Sequence, residues 1–119
     1  MTQLISVKLK TQSRILHLEF DDGTDADLSC EYLRVYSPSA EVKGHGPGQA
    51  ILQIGKENIK IESIEPVGNY AIKLIFDDGH DSGIYTWKYL HHLSVDKDIL
   101  WDEYLAALKQ QRYEMKINE

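Results

Sequence analysis

The sequence predicts an α+β fold: a small, mainly antiparallel β-sheet domain with two or three helices, built as an internal strand–turn–strand–helix pseudo-repeat. Three observations predict it. Short runs alternate apolar and polar residues, the period-2 signature of a half-buried strand. Two Asp-Asp-Gly turns stand in closely matched surroundings, 56 residues apart. After each turn comes a Ser or Thr suited to cap a helix, then apolar residues at helical spacing.

Ile5, Val7 and Leu9 alternate with polar residues, and so do Leu16, Leu18 and Phe20, although Ile15 departs from the pattern. Residues 4–10 and 14–20 therefore read as a hairpin. Asp21-Asp22-Gly23-Thr24 is a turn, because Gly accepts positive φ and Asp bonds its own backbone. Ala26 and Leu28 make a short third strand. Ser29 then caps a helix through about Tyr36, which Pro38 ends.

The stretch from Ser37 to Gln49 holds two prolines, three glycines and His45. It reads as an irregular loop, long enough to suggest function or mobility. Strands are expected at residues 50–54 and 57–65 around a Gly55-Lys56 turn. A further strand follows through Ile72, Leu74 and Phe76. Thr86 caps a second helix carrying Trp87, Tyr89, Leu90 and Leu93. A last helix starts near Asp96, with Val95 and Leu100 at the positions of a hydrophobic staple. Its apolar face is Leu100, Trp101, Tyr104, Leu105 and Leu108. From Gln110 the chain is polar and is expected to fray, so the domain is read as residues 1–109 with a tail at 110–119.

The repeat is explicit. Leu16-His17-Leu18-Glu19-Phe20-Asp21-Asp22-Gly23 returns as Ile72-Lys73-Leu74-Ile75-Phe76-Asp77-Asp78-Gly79. Beyond it Asp25 aligns with Asp81 and Leu28 with Ile84. After one inserted residue, Tyr32-Leu33 aligns with Tyr89-Leu90.

Composition narrows the function. A chain of 119 residues fits one domain and can bury a sizeable core without disulfides or metal. At 42% hydrophobic and 27% charged it is an ordinary globular composition. The net charge of −6 argues against nucleic acid and against an anionic membrane surface as partners. A single cysteine, Cys30, excludes an intramolecular disulfide and a Cys-rich metal site. The N-terminus lacks the basic and apolar regions of a signal peptide, and no run approaches the length of a membrane span, so a cytoplasmic protein is expected.

Few groups suggest chemistry. His91 and His92 are adjacent and point to different sides of a helix. His80, in the second turn, is a candidate metal ligand, with the carboxylates of the two turns or His45 as partners. Gathered turn carboxylates can hold a divalent cation, but more often they bond the local backbone. Cys30 opens a helix, where the dipole lowers a thiol pKa; a buried small hydrophobe is the competing role. The segment Gly44-His45-Gly46-Pro47-Gly48 is neither a Walker loop nor a dinucleotide fingerprint. The aromatics Tyr36, Tyr85 and Trp87, with His45, are candidates for an interaction surface.

Three stretches carry a family resemblance. They are Leu33-Arg34-Val35-Tyr36-Ser37-Pro38-Ser39-Ala40-Glu41-Val42 with Gly44-His45-Gly46; Ile64-Glu65-Pro66-Val67-Gly68-Asn69-Tyr70; and Phe76-Asp77-Asp78-Gly79-His80-Asp81-Ser82-Gly83-Ile84-Tyr85. Over about residues 3–108 the chain resembles the small bacterial proteins of the gamma-butyrobetaine hydroxylase-like N-terminal domain family, DUF971. In the hydroxylases this domain precedes a separate iron- and 2-oxoglutarate-dependent catalytic domain, for which this chain has no room. There it resembles a zinc-bearing module with three cysteines and one histidine. Carried over residue by residue, the cysteine positions fall on Ser37, Ser39 and Val42, and the histidine on His80. Serine and valine do not replace thiolates, so the resemblance implies a stand-alone member with no cofactor. The domain also occurs with P-loop ATPases of iron–sulfur cluster assembly, which implies an adaptor role.

The expectation is a non-enzymatic accessory or protein-interaction domain with a protein partner, linked to iron–sulfur or metallocofactor pathways. The alternative is a metal-binding domain, for zinc or iron, using His80 with nearby carboxylates or His45.

Overall fold

The computed structural model describes residues 2–43 and 51–117, the side chains as far as 112. His45 lies outside the described residues. The elements are β1 (Leu4–Lys10), β2 (Ile15–Phe20), β3 (Asp25–Ser29), α1 (Cys30–Val35), α2 (Ala40–Lys43), β4 (Ile61–Val67), β5 (Ala71–Phe76), β6 (Ile84–Thr86), α3 (Trp87–Val95) and α4 (Lys97–Ile117). They form two three-stranded antiparallel sheets, ordered β1-β2-β3 and β4-β5-β6. This is the predicted α+β class. The inner faces of both sheets meet α1 and α3 in one core: Leu16, Leu18, Phe20 and Leu28 from the first half, Ile72, Leu74, Phe76 and Tyr85 from the second.

The two halves repeat in detail. Each first hairpin carries an irregularity at the same place, between Leu4 and Ser6 in one and between Ile61 and Ser63 in the other. Gly23 and Gly79 take φ of 87° and 86°, which closes the turn at no steric cost. In each turn the phenylalanine N–H donates across it, Phe20 to Thr24 O at 2.9 Å and Phe76 to His80 O at 3.0 Å. Asp21 Oδ1 accepts from Gln3 N at 3.0 Å, and Asp77 Oδ1 from Lys60 N at 3.1 Å. Asp22 Oδ1 accepts from Thr24 N, and Asp78 Oδ1 from His80 N. The helix caps match too: Ser29 Oγ accepts from Tyr32 N at 3.0 Å and Thr86 Oγ1 from Tyr89 N at 3.1 Å.

Contacts between the halves are reciprocal, as they are across a two-fold axis. The Tyr32 hydroxyl donates to Leu93 O at 2.8 Å, and the equivalent Tyr89 hydroxyl donates to Tyr36 O at 2.6 Å. The second turn aspartates cross over in the same way. Asp22 Oδ2 meets His91 Nε2 at 2.9 Å, and Asp78 Oδ2 meets Arg34 Nε at 2.9 Å. His91 and Arg34 occupy equivalent places on α3 and α1.

Five expectations need correction. The inserted residue of the second copy falls before Ile84, not after it. Leu16 pairs with Leu28 and Ile72 pairs with Tyr85, so Leu28 matches Tyr85. Both are fully buried while Ile84 is 45% exposed, the change of face that a one-residue slip produces. Residues 51–60 form no strand, and β4 starts only at Ile61; Ile51 and Ile54 are exposed and pack on no sheet. The loop after Pro38 contains α2. Finally, α4 continues past Gln110 to Ile117, because Lys, Gln, Arg, Glu and Met are good helix formers however polar they are. Val95 is 59% exposed, so the expected staple buries little of it.

Candidate functional site

The best-buried polar cluster joins the segment after α1 to the β5–β6 turn. Tyr36 ends α1, and the Ser37 N–H donates to Arg34 O at 3.3 Å. Ser37 Oγ accepts from Ser39 N at 3.3 Å, and Ser39 Oγ accepts from Glu41 N at 3.2 Å. These local side-chain-to-backbone bonds fold the segment into α2. Ser37 is 0% exposed and Ser39 6%.

From the other half comes His80, whose side chain is 3% exposed. Its Nε2 lies 2.8 Å from Ser37 Oγ and its Nδ1 3.0 Å from Glu41 Oε2. A second bond runs parallel, Ser39 Oγ to Ser82 Oγ at 2.7 Å. Gly83 is required here, since a Cβ at that position would collide with Ser37 Oγ. Beneath the cluster the Tyr85 hydroxyl donates to Leu33 O at 2.5 Å, and burial pushes its phenol above the ordinary range.

Beside it, Asp78 Oδ2 also accepts from Lys56 Nζ at 2.9 Å. Partial burial alone would raise the Asp78 carboxyl; bonds from Lys56, the His80 N–H and Arg34 outweigh that and hold it at about 2. Arg34 is 7% exposed. Sequence reading did not single out Glu41, Ser82 or Arg34, although all three stand within the quoted motifs.

The positions carried over by resemblance do come together: Ser37, Ser39 and His80 are linked by hydrogen bonds, and Val42 is buried on α2, where its N–H donates to Ser39 O at 3.0 Å. They do not fit zinc. A tetrahedral site takes thiolate, imidazole or carboxylate donors. Here Val42 offers only methyls, both serine hydroxyls are engaged, and both nitrogens of His80 already have partners. Among the described residues no group of three or more His, Cys, Asp or Glu is placed to hold a metal ion.

The remaining candidates are dispersed. His91 faces Asp22 while His92 Nδ1 meets Asp96 Oδ2 at 2.8 Å, so the two imidazoles diverge. The turn carboxylates serve separate partners, Asp22 on α3 and Asp78 on α1 and Lys56. Cys30 is 1% exposed, and burial pushes its thiol up. Its position at a helix start does not activate it.

The aromatics separate likewise. Tyr85, expected at an interaction surface, is 0% exposed and belongs to the core, because it sits on the inner face of β6. Tyr36 is half-buried, its hydroxyl donating to Leu100 O at 2.6 Å. Trp87 is half-buried, its indole N–H donating to Asn69 O at 2.9 Å. Trp87 lines an open, largely apolar cleft of about 540 Å³ with Tyr70, Asn69, Thr86, Lys88 and Gln3. Tyr70 is 54% exposed. A second hollow of about 290 Å³ lies between α2 and α4, walled by Val35, Tyr36, Val42, Tyr89 and Tyr104. No described helix is long and apolar enough to cross a membrane.

Fold and site together define a small pseudo-two-fold α+β domain with a hydrogen-bonded serine–histidine–glutamate cluster. The chain belongs to the gamma-butyrobetaine hydroxylase-like, N-terminal family, whose model matches residues 7–91. It is similar to two proteins known from NMR solution structures. One is 51% identical, with a TM-score of 0.80, covering 94% of this chain and 83% of that one. The other is 49% identical, also at 0.80, covering 92% and 86%. It is similar as well to a crystal structure of a DUF971 protein of unknown function from Acidithiobacillus ferrooxidans, at 36% identity and a TM-score of 0.65, covering 77% of this chain and 92% of that one. No curated protein matches the chain.

Proposed function

We propose that this chain is a non-enzymatic accessory domain that binds a protein partner through the Trp87–Tyr70 cleft. The observation that carries the reading is the cleft itself: an apolar hollow, open to solvent, with Tyr70 54% exposed beside the half-buried Trp87. Aromatic residues with a polar tip suit a protein interface, since they bury large area at low entropic cost. The groups able to do chemistry point inward instead. Ser37 and Cys30 are shielded from any substrate, and His80 is held on both ring nitrogens. The hollow by α2 is a weaker candidate, because its Tyr36 and Tyr89 are half-buried and Tyr104 is buried, whereas Tyr70 is exposed.

The family's use as an appended domain supports a partner in an iron–sulfur or other metallocofactor pathway. Affinity recovery from lysate tests the proposal when run in parallel with the wild-type chain and a Tyr70→Ser variant. A protein retained by the first and lost with the second supports it; identical recoveries from both reject the cleft.

A metal-binding domain built on His80 is the second reading, favoured by the Glu41 carboxylate 3.0 Å from Nδ1. Stoichiometric zinc or iron in tag-free protein would support that reading in place of the first.

A further inference from the structure

We infer that the Trp87–Tyr70 cleft takes an acidic peptide segment of its partner, an apolar side chain seated against the rings and a carboxylate reaching Lys88; this rests on the cleft being the docking site. The two rings are fixed before anything binds. The Trp87 indole N–H is tied to Asn69 O at 2.9 Å. The Tyr70 ring lies against Gly68, where a Cβ would stand 3.0 Å from Tyr70 Cε1. A pre-organised aromatic pair loses little freedom when an apolar side chain docks on it.

The two-fold arrangement supplies a comparison inside the molecule. The Trp87 N–H donates to Tyr70 O and the Cys30 N–H to Arg14 O, both at 2.9 Å. The Asp21 N–H donates to Gln3 O at 2.9 Å and the Asp77 N–H to Lys60 O at 3.0 Å. Trp87, Tyr70 and Gln3 therefore match Cys30, Arg14 and Lys60, and those three line a cleft of their own, of about 580 Å³. The two clefts are equivalent in place but differ in charge. The Cys30 cleft carries both signs, Arg14 and Lys60 with Glu62 and Asp77. No aspartate or glutamate lines the Trp87 cleft, whose basic groups are Lys88 and His91, although the chain holds 19 acidic residues and a net charge of −6. Lys88 follows Trp87 where Glu31 follows Cys30, so the first turn of α3 has no acidic residue and that of α1 has one. The lysine ion pairs among the described residues are those of Lys10, Lys56 and Lys73, which leaves the exposed Lys88 for a ligand. The turn carboxylates beside the cleft are engaged: Asp22 Oδ2 meets His91 Nε2 at 2.9 Å, and Asp21 Oδ1 accepts from Gln3 N at 3.0 Å. The charge open to an occupant is positive, and its complement is a carboxylate.

The test is selection from a library of random dodecapeptides, run on the wild-type chain, Lys88→Glu and Tyr70→Ser. Both positions are exposed, so both variants are expected to fold. The wild type should enrich peptides with Asp or Glu close to an aromatic or large aliphatic residue. Lys88→Glu should bind those peptides about tenfold more weakly, since an attraction becomes a repulsion, and should enrich Lys and Arg in their place. Tyr70→Ser should lose them. Wild-type enrichment of basic or uncharged peptides overturns the acidic occupant; where Tyr70→Ser loses those peptides, the cleft stands as the docking site. Acidic peptides that Lys88→Glu binds as tightly as wild type overturn it too. Peptides bound equally by wild type and Tyr70→Ser, or no enrichment from the library, reject the cleft and the inference together.

Discussion

Tyr32 and Tyr89 hold equivalent places on α1 and α3, and each hydroxyl reaches the C-terminal end of the other's helix, Leu93 O at 2.8 Å and Tyr36 O at 2.6 Å. This exchange welds the two halves. A buried hydroxyl–carbonyl bond contributes about 1 kcal/mol, and more is lost when the carbonyl is left bare. Tyr32→Phe and Tyr89→Phe are each expected to destabilise the fold by about 1–2 kcal/mol in denaturant titrations. A large effect from one and none from the other would contradict the two-fold reading.

Gly83 abuts Ser37, whose Oγ stands where a Cβ would go. Gly83→Ala is expected to cost about 1–3 kcal/mol through overpacking. In a double-mutant cycle with Ser37→Ala the cost should shrink, because the colliding atom is gone. Additive costs would show that the collision is relieved elsewhere.

Asp78 and His17 predict opposite pH limbs. The folded pKa of Asp78 is held at about 2, below its unfolded value. Its stabilisation is present above about pH 4 and is lost as pH falls toward 2. With the side chain 24% exposed, solvent screening reduces this to about 1–2 kcal/mol. Asp78→Asn should flatten the acid limb of the stability profile. The pKa of His17 is raised, chiefly by its bond to Asp27 and then by Glu19. Its contribution is complete below the unfolded histidine pKa and disappears as pH rises through the folded one. NMR titration should find the His17 ring protonated to higher pH than in an Asp27→Asn variant; equal midpoints would refute the pairing.

Cys30 is shielded and its thiol pKa is raised by burial. A thiol-specific reagent at neutral pH is expected to label it slowly in native protein and fully in denaturant. Fast native labelling would restore a nucleophilic role.

The repeat was legible because the turn chemistry of Asp-Asp-Gly and the Ser29 and Thr86 caps are local. Those signals placed β1 to β3, α1, β5 and α3 close to where they stand. The 51–60 segment was misread because the apolar residues Ile51 and Ile54 lie exposed, with no sheet to pack on. Polarity concealed the length of α4. At the site, His80 and the serine positions were visible through the family motif, but their meeting depends on the two-fold arrangement, which no local pattern encodes. Glu41 escaped notice for the same reason: its partner lies 39 residues away. Tyr85 was grouped with the surface aromatics, but β6 turns it inward opposite Ile72.

The most direct test of the proposed function is photo-crosslinking from position 70. Ile99, which is 62% exposed and outside the lining of the Trp87 cleft, serves as the control position. Neither substitution is expected to alter stability by more than about 0.5 kcal/mol. A photoreactive residue at 70 should yield a discrete crosslinked protein that position 99 does not; matching products from both, or none from 70, would contradict a partner bound in the cleft.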